Sequence, residues 1–247
     1  MPPVKRFALS SRSASVVWVE PGRLRAGGRT HPLPDPASQE ALSALLKTLP
    51  EGPSHWIVED GMAPAALMRD IVELPAGGEA REAFFRWKFQ QALGLQEEFA
   101  VQAVPVDESG WLAAGLPLAL REAWTAAALK AGRPIAQLQP RWLWLYNRLA
   151  PEQERPGMLL SLSPGEAEGH FSGTLAAWSR TLVLVRQWSE AMTPEAWMSE
   201  RVLPTAAYLQ RDGRSPQGLH VWGPSAWPSG ELPVRVMQPE IPERETL

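Results

Sequence analysis

Apolar positions recur along this chain at two spacings, and the switches between them mark its elements. Alternation with a period of two, or a short unbroken apolar run, predicts strands at 7–9, 15–20, 23–26, 56–58, 67–74, 99–104, 111–114 and 134–138. The same signal returns at 158–163, 169–176, 180–186, 219–222 and 232–237. Spacings of three and four predict helices at 38–49, 79–93, 117–131 and 141–150, and again from Pro194 onward with a second segment after Pro204. Pro117 and Pro140 open two of these helices, and Gly94 and Gly132 stop two of them. The helix at 79–93 carries two apolar faces. Ala80, Ala83, Phe84 and Trp87 lie on one side and Phe85, Phe89, Ala92 and Leu93 on the other, which predicts a helix covered on both sides.

The order of these elements repeats. Strands at 7–9, 15–20 and 23–26, joined by turns at 10–14 and at Pro21-Gly22, form an antiparallel meander; residues 27–36 read as loop, and a helix follows. A charged, proline-bounded stretch at 151–156 reads as a linker, and beyond it a second three-stranded meander is again followed by a helix. No short-period repeat accompanies the duplication, and 241–247 reads as a polar, frayed tail.

Composition narrows the class. With 247 residues, 45% hydrophobic and 21% charged, the chain can bury a sizeable core and is not a disordered polymer. Its net charge of −3 comes from well-mixed charges with no basic block, so nucleic acid is not an expected partner. The absence of cysteine excludes disulfides and thiolate chemistry. The opening MPPVKRFALSSRSA lacks the apolar stretch of a secretory signal, and no run is long enough to cross a membrane. The chain reads as soluble. Twelve tryptophans face two tyrosines; most sit within apolar patterns and are expected in the core, with Trp222 and Trp227, in a Gly/Pro-rich region, left as exposed contacts.

Candidate chemistry is sparse. His31, His55, His170 and His220 show no metal-ligand spacing. Glu59-Asp60 is a carboxylate pair at a strand end, as acid–base chemistry requires, but ahead of Gly61 it reads as a solvated turn. Gly169 to Gly173 lacks the Gly-x-Ser-x-Gly order of a nucleophile elbow and falls in a strand. Gly77-Gly78 precedes a helix without the Lys-Ser/Thr of a phosphate loop. No catalytic, cofactor-binding, metal-binding or partner-binding residue is assigned.

Several segments carry a resemblance. LPAGGEAREAFFRWKFQQALGLQEEFAVQAVPV (74–106) presents Leu-Pro, a helix with Arg-Trp-Lys, a short turn and a strand; HWIVEDGMAPAALMRDIVELP (55–75) presents a strand, an acidic turn, a strand and Leu-Pro. WLAAGLPLALREAWTAAALKAGRPIAQLQPRWLWLYNRL (111–149), GLHVWGPS (218–225) and LPVRVMQP (232–239) follow in the same order. Together they resemble the PilM family, actin-like cytoplasmic proteins of type IV pilus machines related to the cytoplasmic region of GspL proteins of type II secretion. The resemblance implies an α/β, actin-like (ribonuclease H-like) fold of duplicated subdomains. The first lobe would span 1–150 with an inserted α/β segment around 75–115, and a reduced second lobe would span 157–240.

It also implies a cytoplasmic scaffold held at the inner membrane by a partner, either a PilN-like protein, whose peptide docks in a first-lobe groove in the family, or a GspL/GspM-like one. ATP-binding relatives carry Asp and Gly in two hairpin turns, where backbone N–H groups cradle phosphates. Here the turn Ser10 to Ala14 has neither, the turn Ser163-Pro164-Gly165-Glu166 has no Asp, and the adenosine turn reads Trp222-Gly223-Pro224. Asp occurs only at 35, 60, 70, 107 and 212, and the family's closing subdomain is missing between Arg186 and Leu219. The expectation is a pseudo-ATPase with no cofactor. The alternatives are an actin-like ATPase with atypical phosphate loops, and an unrelated α/β module that forms homo-oligomers through exposed tryptophans.

Overall fold

The computed structural model describes residues 13–149, 155–164, 167–224, 226–228, 232–237 and 244–246. In its first half run β1 (Ser13–Glu20), β2 (Arg23–Ala26), β3 (Arg29–Pro32), α1 (Gln39–Leu46), β4 (Ser54–Val58), β5 (Ala65–Met68), α2 (Gly78–Leu93), β6 (Phe99–Pro105), β7 (Trp111–Pro117), α3 (Leu118–Lys130), β8 (Ile135–Pro140) and α4 (Arg141–Arg148). The second half holds β9 (Gly157–Pro164), β10 (Phe171–Ser179), β11 (Thr181–Met192), α5 (Pro194–Ala196), α6 (Leu203–Arg211), β12 (Leu219–Trp222), β13 (Val234–Met237) and β14 (Arg244–Thr246).

Two of the three sheets have one topology. The first runs β3-β2-β1-β4-β8 and the second β11-β10-β9-β12-β13. In each, a three-stranded antiparallel meander is followed by two strands parallel to its first. The duplication expected from element order is thus repeated strand for strand, and this is the actin-like architecture. Only the first sheet carries an insertion, β5-α2-β6-β7, whose strands form the third sheet in the order β5-β7-β6. Between β11 and β12 the second lobe has only helix and a short connection, so it is the reduced one.

Alternation along β1 and β4 sorts side chains into layers. Val17, Val19, Trp56 and Val58 face α1 and α3 in one core, while Val16, Trp18 and Ile57 face α4 in another. On β9, Met158, Leu160 and Leu162 pack toward α6, and Leu159 turns the opposite way to the α4 layer. Helix α4 is therefore sandwiched between the two sheets. Trp18 and Trp144 meet edge-on there, with ring centroids 5.3 Å apart.

Several sequence expectations are corrected. Among the described residues, the first meander is formed by 13–20, 23–26 and 29–32. Ser13 and Ala14 belong to β1, residues 7–9 lie outside the described residues, and 29–32 is a strand, not loop. The missed signal is Gly27-Gly28, both at positive φ (56° and 72°), the two-residue hairpin that matches strand twist. β5 ends at Met68 because Asp70 adopts a left-handed φ of 58° and breaks the extended run. α2 is covered on one side only: Phe85 and Phe89 pack on the third sheet, while Ala80 and Ala83 are exposed and Trp87 is 52% exposed. Conversely, Trp222 stacks near Trp18 and Trp227 packs on the second-lobe core, so both are half-buried. Residues 244–246 pair antiparallel with β1 at 13–15 instead of fraying. The helix starting at Pro194 reaches Arg211 without a break, widening to π geometry over Trp197–Val202. Pro204 cannot donate to the carbonyl four residues earlier, and the wider turn absorbs that lost bond.

Candidate functional site

The two repeated sheets approach each other where β4 ends, β9 ends and α4 begins, and a buried polar cluster occupies that point. The strand pattern prepares it. β9 places apolar Leu159 toward α4 but puts Ser161 and Ser163 at the next positions of the same phase. β4 places Ile57 toward α4, with Glu59 next in phase and Asp60 following at the turn. Arg141 is the first residue of α4, where the positive end of the helix dipole disfavours a cation unless acids stand nearby.

Arg141 is held from both lobes. Its Nη1 donates to Glu59 Oε2 at 2.6 Å, its Nε to Ser161 Oγ at 3.0 Å and its Nη2 to Ser163 Oγ at 2.9 Å. Nη2 also stands 3.8 Å from Asp60 Oδ2. Asp60 Oδ1 accepts the Trp142 backbone N–H at 2.8 Å, capping α4 from another strand because Pro140 at the N-cap position has no side-chain acceptor. The backbone oxygen of Asp60 accepts from Gln187 of β11 at 3.3 Å. Arg141, Asp60 and Glu59 are 2%, 2% and 4% exposed.

The expected solvated turn at Glu59-Asp60 is thereby corrected. The sequence shows a carboxylate pair ahead of a glycine, but not the arginine 81 positions on from Asp60 that draws it inward. Burial dominates the electrostatics. It pushes the Glu59 carboxyl up from 4.5 to about 7, against the pull of Arg141 and with the help of Asp60 and Glu20. Burial likewise raises Asp60, opposed by Arg141. One guanidinium faces two carboxylates, and Glu59 Oε1 and Asp60 Oδ2 are buried without hydrogen bonds, so the cluster is one proton short of neutrality when both acids ionise.

The first hairpin turn among the described residues is Glu20-Pro21-Gly22-Arg23, which contains an acid and a glycine, the latter at a φ of 73°; of the expected turn, Ser13 and Ala14 belong to β1 and 10–12 lie outside the described residues. Pro21 has no N–H to offer a phosphate, and Glu20 is engaged by the Arg23 and Arg25 guanidiniums. The second turn follows Pro164 and its tip lies outside the described residues. Elsewhere the candidates disperse. His55 is buried on Gln139, 2.9 Å away, His170 faces the Glu168 carbonyl, and no group of three metal-binding side chains occurs among the described residues. Gly173 is a packing glycine: a Cβ there would fall 2.2 Å from the Ser161 carbonyl oxygen. Gly77, at a φ of 94°, is the N-cap of α2.

Against known proteins, no family model matches this chain, and no curated protein matches it significantly. Solved structures do. The chain is similar to a chain of the PilM–PilN type IV pilus biogenesis complex, with a TM-score of 0.52 and 16% identity over 85% of this chain and 81% of that one. It is also similar to the cytoplasmic domain of EpsL, an inner-membrane component of the type II secretion system of Vibrio cholerae, with a TM-score of 0.51 and 10% identity over 94% and 91%. What is shared at such identities is the fold, and it is the one the sequence resemblance implied. The chain spans most of both structures, so the shortfall expected against the family is small beside these two.

Proposed function

We propose that this protein is a non-catalytic, cytoplasmic scaffold of a type IV pilus or type II secretion-like assembly, held at the inner membrane by binding a cytoplasmic segment of a PilN-like or GspL/GspM-like partner. The fold shared with the two assembly proteins supports the class. One observation carries the non-catalytic part: the junction between the lobes is closed by the chain's own cation, Arg141, tied to Glu59 on one side and to Ser161 and Ser163 on the other. Attachment through a partner is in keeping with the described residues, among which no helix is long and apolar enough to cross a membrane.

The acid and glycine of the Glu20-Pro21-Gly22 turn favour a second reading, an actin-like ATPase with atypical phosphate loops. Calorimetry with ATP and Mg²⁺ in excess separates the two. No heat of binding up to millimolar nucleotide is the expected outcome, and micromolar binding overturns the scaffold reading. The partner half is tested by co-expression with the PilN-like or GspM-like protein of the same organism: co-purification is expected, and its failure with every such protein rejects it.

A further inference from the structure

The third sheet ends in a strand that pairs on one side only. β6 closes the order β5-β7-β6 and, among the described residues, is hydrogen-bonded to β7 alone. Its backbone phase is fixed at both ends. The Leu118 N–H donates to the Glu98 carbonyl, and the Val106 N–H donates to the Gly110 carbonyl. Hydrogen-bonded residues alternate along an antiparallel pair, so Ala100, Gln102 and Val104 turn their N–H and C=O groups to β7. Phe99, Val101 and Ala103 turn theirs outward.

Sheet edges are ordinarily blunted by charge, proline or brevity. β3, at the edge of the first sheet, is four residues long and contains Arg29 and Pro32. β6 is seven residues long and reads FAVQAVP, with no charged side chain. It runs for about 23 Å. Its one proline, Pro105, stands at the last position, where it ends the row of outward donors without interrupting it.

The strand is complementary to itself. A twofold axis through Val101 sets Phe99 of one copy opposite Ala103 of the other, and Ala100 opposite Gln102, so that larger side chains meet smaller ones. In the same register Glu97 falls against Pro105, Glu98 against Val104 and Asp107 against Leu95, so no like charges stand opposite. The outward residues close about six backbone hydrogen bonds. Helix α2 agrees with this contact. Phe89 packs on Phe99, ring centroids 5.8 Å apart, so the helix lies along the edge strand. Its Lys88 and Gln91 side faces β5, while Gln90 donates to the Glu97 carbonyl at 2.9 Å. The row Gln90, Arg86, Glu82, spaced by four, therefore looks over the open edge. Arg86 and Glu82 are exposed and of opposite sign, so the row meets its own twofold image without a one-signed field.

We propose that this protein forms a twofold dimer in which β6 pairs antiparallel with β6 of a second copy about Val101, joining the two third sheets into one continuous sheet. A second copy is the occupant because the edge matches its own sequence in register, backbone group for backbone group and without opposed charges. The dimer is independent of the scaffold reading, and its test uses neither nucleotide nor any pilus protein.

The chain has no cysteine, so a single introduced one reports contact between copies alone. Across a hydrogen-bonded antiparallel pair the Cα atoms stand about 5.5 Å apart, inside the disulfide range of about 4.4–6.8 Å. Val101→Cys, oxidised with copper–phenanthroline, is expected to form a covalent dimer about tenfold or more faster than Glu122→Cys, a control on the exposed side of α3. Sedimentation equilibrium of the full chain is expected to show its mass doubling as concentration rises. Ala103→Pro removes an N–H that β7 does not use, and it is expected to return the mass to that of one chain with an unchanged circular dichroism spectrum. A single-chain mass at every concentration up to millimolar, cross-linking no faster at position 101 than at 122, or a dimer that a folded Ala103→Pro variant leaves intact overturns the proposal. Should Ala103→Pro lose its fold, the cross-linking rates and the wild-type mass decide alone.

Discussion

Arg141→Met removes the guanidinium at the lobe junction while keeping most of the side chain's apolar bulk. The wild-type residue gives one charge-assisted bond to Glu59, two hydrogen bonds to Ser161 and Ser163, and a longer attraction to Asp60. Breaking a buried pair by deleting one partner costs about 3–5 kcal/mol, because the remaining charge has neither water nor a counter-ion. Set against a typical domain stability of about 5–15 kcal/mol, that is a large fraction. Arg141 also lowers the pKa of both acids, so without it each takes a proton more readily in the folded state. The penalty should therefore be largest near about pH 8 and shrink towards about pH 5, where protonation removes the stranded charge. Urea unfolding followed by tryptophan fluorescence and by far-ultraviolet circular dichroism measures it. The two probes should separate in the variant if the lobes uncouple. Adding Glu59→Leu to Arg141→Met should recover more than half the loss, since an apolar pair of similar volume replaces a broken ionic one. A loss below about 1 kcal/mol at about pH 8, or one that grows on acidification, would refute this account of the cluster.

Glu59→Gln tests the proton directly. Its folded pKa of about 7 lies above the ordinary 4.5. The wild type thus bears no ionisation penalty from this group below about 4.5, and one of about 3 kcal/mol once pH exceeds about 7. The stability of the glutamine variant relative to wild type should rise by about that amount between about pH 4.5 and 8 in urea titrations; a flat difference would reject the shift. Gly28→Ala at the β2–β3 hairpin should cost about 1–2 kcal/mol for a left-handed alanine, read as a lowered urea midpoint, and an unchanged midpoint would remove the turn assignment. Gly173→Ala should cost several times as much, or leave little soluble protein, because its Cβ would overlap the Ser161 carbonyl. Normal expression and stability of that variant would show that β9 and β10 do not approach as closely as described.

How much of this was legible in the sequence depends on the range of the signal. Helices with a local stop or start, such as 79–93 before Gly94 and 117–131 behind Pro117, stand close to their observed limits, because capping and proline geometry act within a few residues. The strand repeat was legible as order and not as register. The Gly27-Gly28 hairpin, a signal of only two residues, adds the antiparallel strand at 29–32 where the apolar pattern shows a loop. Burial was misjudged wherever it depends on a distant partner. The rings of α2 share one pattern on both faces, yet only Phe85 and Phe89 find a sheet to cover them. Trp222 is covered by Trp18, some two hundred positions earlier.

The junction cluster is the clearest case. Glu59-Asp60, Arg141 and Ser161/Ser163 are each ordinary where they stand: an acidic turn, a helix start, and a strand ending in serines. Each nevertheless breaks its local rule slightly. A cation sits at a helix N-terminus, and polar residues sit in the inward phase of an otherwise apolar strand. Such small conflicts between local preference and position are where a fold places the groups that join its parts. Here the three conflicts resolve one another. The acids neutralise the arginine against the helix dipole, the serines take its remaining donors, and Asp60 caps the helix that the proline leaves open. The same side chains thus join the two lobes at one buried point, each satisfying a group that another element leaves unpaired.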